Sequence, residues 1–399
     1  MTASRRTFLG MAAAVPAAGA PARTFSPNDR IGIGLIGAGS RGRYHFGDLS
    51  KLKPENIAIT AVCDVHRPAL EALAERSGAA FGGPVRKTTD YRELLAWKEV
   101  DAVIIASPDF THAEILAEAV RAGKDVYCEK PMATVFADAK RAFHSVKQSS
   151  QVVQIGTQRR SEPGLMGAAR LMQQGVLGRV TRVDMEVNFH QARWRRDYSD
   201  LRADDVDWPR FLFGRAERPF EARRLREWQL FRDYTNGLPG LWMSHYIDLV
   251  PWFLGTPYPR SAVASGGVFL WKDGRETEDV FQALLEYPND CLVRWAMSLT
   301  NAAPVRNAWY GTRGMLDCER LKVSGEGSSD KDKIQAESAV EPVETDTHMQ
   351  NFLRSVRSRK TPRASIQDGF SHAVAGIMAA EAMRTGRRVT FDADRLEIV

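Results

Sequence analysis

At 399 residues, 44% hydrophobic and 26% charged, the chain has the composition of an ordinary globular protein and is long enough for two domains rather than one core. Its 55 basic and 49 acidic residues leave a formal charge of +6, scattered without a long basic run, which argues against a nucleic-acid partner. Cys63, Cys128, Cys291 and Cys318 form no CxxC pair and have no histidine at ligand spacing, so no metal site or redox dithiol is expected and the thiols read as structural.

The N-terminus comes first in chain order. Ser4-Arg5-Arg6-Thr7-Phe8-Leu9 precedes a small-residue apolar stretch over 10–20, and small-x-small sites follow at 18–20 and 20–22. This resembles a twin-arginine export signal over residues 1–22, lacking only the lysine often found where Gly10 stands. The apolar run is too short for a permanent span, and no later stretch reaches about 18 uninterrupted apolar residues. A soluble periplasmic or otherwise extracytoplasmic protein, without a membrane partner after signal removal, is therefore expected.

From 31 onward, Val- and Ile-dense strands are expected over 31–36, 57–63, 102–106, 125–128 and 152–155. Helices are expected between them over 68–76, 91–97, 111–122 and 135–148. Repeated βα units of this length predict a doubly wound Rossmann domain over 23–155. Beyond 156 come a helix over 164–174, a strand over 181–189 and a Trp- and Arg-rich stretch over 191–238 without clear periodicity. Strands over 262–271, 280–287, 291–299, 307–311 and 316–323 follow, then a mobile loop over 325–336 and helices over 347–358 and 370–384. The fold class is thus α/β. A C-terminal α/β domain over 156–399 carries an open, mostly antiparallel sheet, and its last helices pack back on the first domain.

The first strand runs directly into Gly37-Ala38-Gly39-Ser40-Arg41-Gly42, a G-x-G-x-x-G turn in its strand–turn–helix context. Gly37 permits the tight turn, Gly39 lets a pyrophosphate approach the backbone, and Gly42 allows close helix–strand packing. The helix N-terminus beginning at Ser40 attracts phosphate charge, and Arg41 either meets a phosphate or is exposed. The second strand ends in Asp64, about 20 residues after the last glycine, where a ribose-binding acid is expected. A carboxylate there favours NAD over NADP, with nearby Arg67 keeping NADP as the lesser alternative.

Further motifs are Ala106-Ser107-Pro108-Asp109-Phe110-Thr111-His112, then Gly123-Lys124-Asp125-Val126-Tyr127-Cys128-Glu129-Lys130-Pro131. Gly156-Thr157-Gln158-Arg159-Arg160 and Ser244-His245-Tyr246-Ile247-Asp248-Leu249 follow. With the glycine turn, these resemble the Gfo/Idh/MocA family over nearly all of the mature chain, Glu-Lys-Pro being the most specific element. The resemblance implies NAD as cofactor, with Ser107, Pro108, His112 and Glu129 beside it. It implies Lys130 at the nicotinamide as a substrate- and proton-positioning group, and a cis peptide before Pro131. It implies His245 as acid/base with Asp248 three residues on. The chain departs from the family's Asp-x-x-x-His-x-x-Asp pattern at Leu241, where the aspartate is missing. Arg159, His190 and Tyr246 are further substrate candidates, and Arg160, Trp194, Arg195, Trp228 and Trp242 are candidates for a carbohydrate cleft.

Export of a folded protein into a compartment poor in free NAD implies a tightly bound cofactor, restored within each catalytic cycle. An NAD(P)-dependent oxidoreductase acting on a sugar, glycoside or polyol carbinol is the first reading, because Glu-Lys-Pro is intact. A redox-neutral glycosidase, lyase or epimerase of the same family is the alternative, and a non-catalytic nucleotide or sugar sensor the third. The exposed face of an open sheet implies a homodimer or homotetramer.

Overall fold

Ile31–Ile36 (β1) is buried at every position, as only a strand in a sheet covered on both faces can be. It lies inside a six-stranded, all-parallel sheet with Ile57–Cys63 (β2), Arg86–Thr88 (β3), Ala102–Ile105 (β4), Asp125–Cys128 (β5) and Val153–Ile155 (β6), in the order β3-β2-β1-β4-β5-β6. This computed structural model describes residues 23–26 and 29–399, so the segment read as an export signal lies outside it. Among the described residues no helix is long and apolar enough to cross a membrane.

The helices sit near their expected places, with differences that have local causes. The one expected over 68–76 runs Arg67–Phe81, until Gly82 at φ +71° caps it in the left-handed conformation. The one expected from 111 begins at His112, after a single 3₁₀ turn over Asp109–Thr111. β3 was not anticipated. It is three residues long at the sheet edge and carries two cations, so it has no hydrophobic pattern to read.

The second sheet has eleven strands and is mostly antiparallel. Its long strand Val180–His190 (β7) is followed by Ser261–Gly267 (β8), Val280–Tyr287 (β9), Cys291–Ser298 (β10), Thr300–Asn301 (β11), Arg306–Gly311 (β12), Gly314–Asp317 (β13), Lys322–Ser324 (β14), Ser338–Ala339 (β15), Val389–Asp392 (β16) and Glu397–Ile398 (β17). The order is β15-β14-β13-β12-β7-β10-β9-β8-β16-β17, with β11 on β7 and only the β7–β10 pair parallel.

Two expected strands are corrected here. The one over 262–271 stops at Gly267, because the buried Asp279 carboxylate gathers the N–H groups of Phe269, Leu270 and Trp271 at 2.8, 2.9 and 2.7 Å and bends the chain. The one over 316–323 is a hairpin, β13 and β14, turned where Asp317 Oδ1 accepts from the N–H groups of Glu319 and Arg320. The loop over 325–336 contains no helix or strand.

Two capped helices tie the domains together. His348–Ser358 opens with a Thr347/Gln350 capping box and places Met349, Phe352, Leu353 and Val356 in the core of the first domain. Ile366–Thr385 opens with a Ser365/Asp368 box and lies against both sheets. At Gly369 a Cβ would come within 2.5 Å of Ile155 Cγ1, so the helix axis approaches β6 closely.

The unpatterned stretch over 191–238 holds short helices at Trp208–Leu212 and Ala222–Arg226 and single 3₁₀ turns. It builds a small core of its own from Val206, Trp208, Phe211, Leu212, Leu230, Phe231 and Tyr234, closed against Phe110 of the first domain. A β-bridge between His66 and Val206 and a 2.8 Å bond from Asp207 N–H to Val65 O fasten it beside Asp64.

Candidate active site and nucleotide cleft

A cleft of about 1260 Å³ opens between the domains beyond the ends of the parallel strands, the position where open α/β sheets bind ligands. Gly37 begins its floor at φ +101°, with Ala106 backbone atoms 2.6 Å from where a Cβ would lie. At Gly42 a Cβ would lie 1.9 Å from Gly37 O, so this glycine serves helix–strand packing and does not line the cleft. At Gly39 a Cβ would meet no protein atom, which leaves the backbone open to the cleft at the start of the helix Ser40–Lys51. Ser40 and Arg41 also line it.

Asp64 lines the cleft as its sequence position implies, and its carboxylate accepts from the N–H groups of Ala38 (2.5 Å) and His66 (2.8 Å). Arg67 instead reaches the 191–238 segment, donating to Asp204 O at 2.8 Å. An open glycine backbone, a free helix N-terminus and a carboxylate at the ribose position together fit a nicotinamide dinucleotide.

Glu129, Lys130 and Pro131 lie on the cleft wall, with the Lys130–Pro131 peptide cis. Glu129 is a buried hub. Its Oε1 accepts from Arg41 Nε at 2.6 Å and Gln158 Nε2 at 2.9 Å and lies 2.8 Å from His45 Nε2. Burial opposes its ionisation, but His45 and Arg41 prevail and hold the carboxyl well below the usual range. Lys130 Nζ donates to Leu241 O at 2.8 Å. Position 241, where the aspartate is missing, thus still contacts the lysine through its carbonyl, within the π-helical turn Pro239–Met243. Burial lowers the Lys130 ammonium to about 8 against the opposing charges of Glu129 and Asp109.

His245 also lines the cleft, with its ring centroid 5.8 Å from that of Trp242. Burial and then the Lys130 charge push its pKa well below the ordinary histidine value, so the imidazole is neutral. Ser107, Pro108 and His112 line the cleft too, and His112 sits between the carbonyls of Ser107 and Pro131, 2.8 Å from each ring nitrogen. Of the carbohydrate-cleft candidates, Trp194, Trp228 and Trp242 reach the cleft and Arg195 does not.

Other expected site residues stand apart. Asp248 is 1% exposed and faces inward, where Arg160 Nε donates to its Oδ2 at 2.6 Å and Arg160 Nη2 to its Oδ1 at 3.1 Å. Arg160 also pairs with Asp368, so this cluster ties the Asp248 helix to the C-terminal helix. Arg159 stacks on Tyr246, its Cζ 4.4 Å from the ring centroid, outside the cleft lining. His190 ends β7 beside Trp271 and likewise does not line the cleft.

Sequence reasoning missed Asp109, His45 and Gln158 as site residues. Asp109 lines the cleft, buried, with Oδ2 accepting from Thr235 Oγ1 at 3.0 Å and Oδ1 without a hydrogen-bond partner. Burial pushes its carboxyl up to about 7. The signal available was its place within the Ser-Pro-Asp-Phe-Thr-His run, but its partners are distant in sequence. All four cysteines are buried and free, and no group of metal-ligating side chains occurs among the described residues.

Residues 31–157 match the oxidoreductase family's NAD-binding Rossmann fold, and residues 169–391 match its C-terminal alpha/beta domain. Among curated relatives, the uncharacterized oxidoreductase YrbE of Bacillus subtilis is 28% identical over 192 residues, 46% of this chain and 54% of that protein. The inositol 2-dehydrogenase of Rhizobium meliloti is 30% identical over 191 residues, 46% of this chain and 55% of that one. The matched part spans about half the length of these relatives.

Solved structures share the fold across nearly the whole chain. The WlbA dehydrogenase of Bordetella pertussis, in complex with NADH and UDP-GlcNAcA, superposes with a TM-score of 0.68 at 20% identity, covering 92% of this chain and 100% of that one. Levoglucosan dehydrogenase in complex with NADH gives 0.66 at 18% identity, covering 91% and 99%. The NAD-binding domain, the C-terminal α/β domain and the Glu-Lys-Pro wall of the cleft between them are parts of one architecture, and the chain belongs to the Gfo/Idh/MocA oxidoreductase family.

Proposed function

We propose that the protein is an exported NAD-dependent oxidoreductase that oxidises a carbinol of a sugar, glycoside or polyol, keeps its cofactor between turnovers, and regains NAD by passing the hydride to the carbonyl of a second sugar. The observation that carries the reading is the pairing of Lys130, lowered to about 8, with a neutral His245 on the wall of a cleft that fits a dinucleotide. Curated relatives that are inositol 2-dehydrogenases, and the levoglucosan dehydrogenase fold, support a polyol or sugar substrate.

Bound NAD supplies the acceptor for the carbinol hydride. Neutral His245 takes the hydroxyl proton, since an imidazole kept uncharged is ready to act as a base. Lys130, cationic below about 8 and fixed at Leu241 O, donates to the carbinol oxygen and orients it. Asp64 favours a ribose diol over a 2′-phosphate through its charge.

Export rests on the Arg5-Arg6 motif and the small-residue run after it, and places the protein in the periplasm or beyond the membrane. Cofactor retention is supported by the 191–238 segment fastened beside Asp64 at Val65 and His66. A homodimer or homotetramer through the second sheet is part of the same proposal.

The test begins with protein lacking residues 1–22, denatured so that any released nucleotide is identified by chromatography. About one NAD or NADH per subunit is expected, followed by Lys130-dependent oxidation of members of a sugar and polyol panel. Release of an aglycone from glycosides without net redox change would move the assignment to a redox-neutral enzyme. Nucleotide binding with no turnover on any substrate would make it a sensor.

A further inference from the structure

Arginines crowd the 191–238 segment, and nearly all are satisfied. Arg195 donates to Glu227, Arg210 to Asp90 and Arg226 to Asp200, and each of the other described arginines there, save one, donates a hydrogen bond from its guanidinium. The exception is Arg193. Among the described residues its guanidinium has no hydrogen-bond acceptor and no acidic partner, and only its backbone N–H and carbonyl are bonded.

It is not a solvated surface group. Arg193 is half-buried and lines the cleft, with Cζ 4.4 Å from the Phe189 ring centroid and 4.8 Å from that of Trp242. Those two rings lie 5.0 Å apart, tilted by 51°. A guanidinium held on aromatic faces keeps its N–H edge free in its own plane. Trp242 is also the ring neighbour of His245, at 5.8 Å between centroids, so Arg193 and His245 flank the same indole on the cleft wall. Of the carboxylates on the reaction wall, Glu129 is taken by Arg41, His45 and Gln158, and Asp109 accepts from Thr235 through Oδ2; neither is bonded to Arg193. Burial lowers the Arg193 pKa with no charge offsetting it, which is the situation an incoming anion relieves.

We propose that Arg193 is the anion-reading group of the substrate pocket and that the substrate is a sugar acid, a uronate or aldonate, rather than a neutral sugar. This rests on the oxidoreductase reading and narrows its substrate class. A planar carboxylate matches the free edge of a stacked guanidinium in a bidentate pair. A dianionic phosphate would call for a second free guanidinium, and those of the neighbouring Arg195 and Arg196 already donate, to Glu227 and to Arg226 O and Gln229.

The test is equilibrium binding to the nucleotide-loaded protein, by calorimetry or by the fluorescence of the cleft tryptophans. D-glucuronate is compared with D-glucose, D-galacturonate with D-galactose and D-gluconate with D-glucitol, with D-glucose 6-phosphate as the phosphate probe. The acid is expected to bind about tenfold or more tightly in at least one pair. Arg193→Gln is expected to abolish that preference, so that the acid and its neutral partner bind alike, and Arg193→Lys to restore it only in part. Nucleotide content and melting temperature check that the variants fold, and the wild-type pairs decide the matter if they do not.

No acid preference in any pair overturns the proposal, as does a preference that survives in Arg193→Gln or tighter binding of the phosphate. Lys130-dependent oxidation of neutral polyols without acid preference would remove this inference and leave the oxidoreductase standing. Tight binding of acids with no hydride transfer would do the reverse.

Discussion

Burial pulls the Lys130 ammonium down and the negative charges of Glu129 and Asp109 resist this, so it titrates at about 8. If the cation orients the carbinol oxygen while His245 accepts the proton, kcat/KM for oxidation is level through neutral pH and falls as pH rises through about 8. His245 adds no limb there, because its pKa lies well below 6.5 and it is already neutral. Asp109 raises the lysine's pKa, so Asp109→Asn must lower it and move the alkaline limb to lower pH. Paired pH–rate profiles, with an NMR titration of isotope-labelled lysine as an activity-free readout, check this; an unmoved limb would mean that Asp109 does not act on Lys130. Much of this site was legible, because Gly37–Gly42, Asp64 and Glu129–Pro131 are contiguous motifs whose chemistry is local. Asp109, His45 and Gln158 were not, since Glu129 meets His45 across 84 positions and Asp109 meets Thr235 across 126. Asp248 shows the converse limit. The family pattern made it a site candidate beside His245, but Arg160 and Asp368, unseen as neighbours in the sequence, hold it in the interior.

The stretch over 191–238 resisted reading because its order comes from packing rather than from a repeating face. Trp208 stacks on Phe211 at 5.0 Å and 15°, meets Phe220 edge-on, and donates from Nε1 to Arg218 O at 2.8 Å. The first domain secures the segment through Thr89 Oγ1 on Asp207 Oδ2 at 3.0 Å and through Asp90, which accepts from Arg210 at 3.1 Å. Strands such as β9 were readable for the opposite reason, since alternate burial along them is written residue by residue. If the segment retains the cofactor, removing its keystone should release it. Trp208→Ala deletes a side chain whose loss from a core typically costs about 3–5 kcal/mol, here concentrated in a small cluster apart from the main cores. The variant is expected to lose NAD on dialysis at a rate at least tenfold above the parent while the bulk of the fold persists. Parallel measurement of bound nucleotide and far-UV circular dichroism checks it, and unchanged retention in a folded variant would remove the segment from any role in holding the cofactor.

At the scale of the whole molecule, the second sheet has one face buried under the interdomain helices and one turned outward. On the outward face, Leu284 of β9 and Leu292 of β10 are 41% and 40% exposed, and Arg294, the register partner of Leu284, is joined to Glu186 at 2.6 Å. Arg182 lies over Tyr310 on the neighbouring strands at 4.0 Å. Exposed leucines set among paired charges suit contact with a second copy of the chain, as proposed for this sheet. A twofold contact would set this patch against its own copy, so a charge placed in it faces a like charge across the axis and destabilises the assembly twice. On the proposed sheet-mediated assembly, the parent is expected to run as a dimer or tetramer by light scattering and the double variant Leu284→Asp/Leu292→Asp as a monomer. The cleft is built from elements of one chain, so the monomer should keep its nucleotide even as its melting temperature falls with protein concentration no longer a factor. A parent that is itself monomeric at micromolar concentration would refute the sheet-mediated assembly, and a monomer that also loses NAD would show that the neighbouring copy helps to hold the cleft closed.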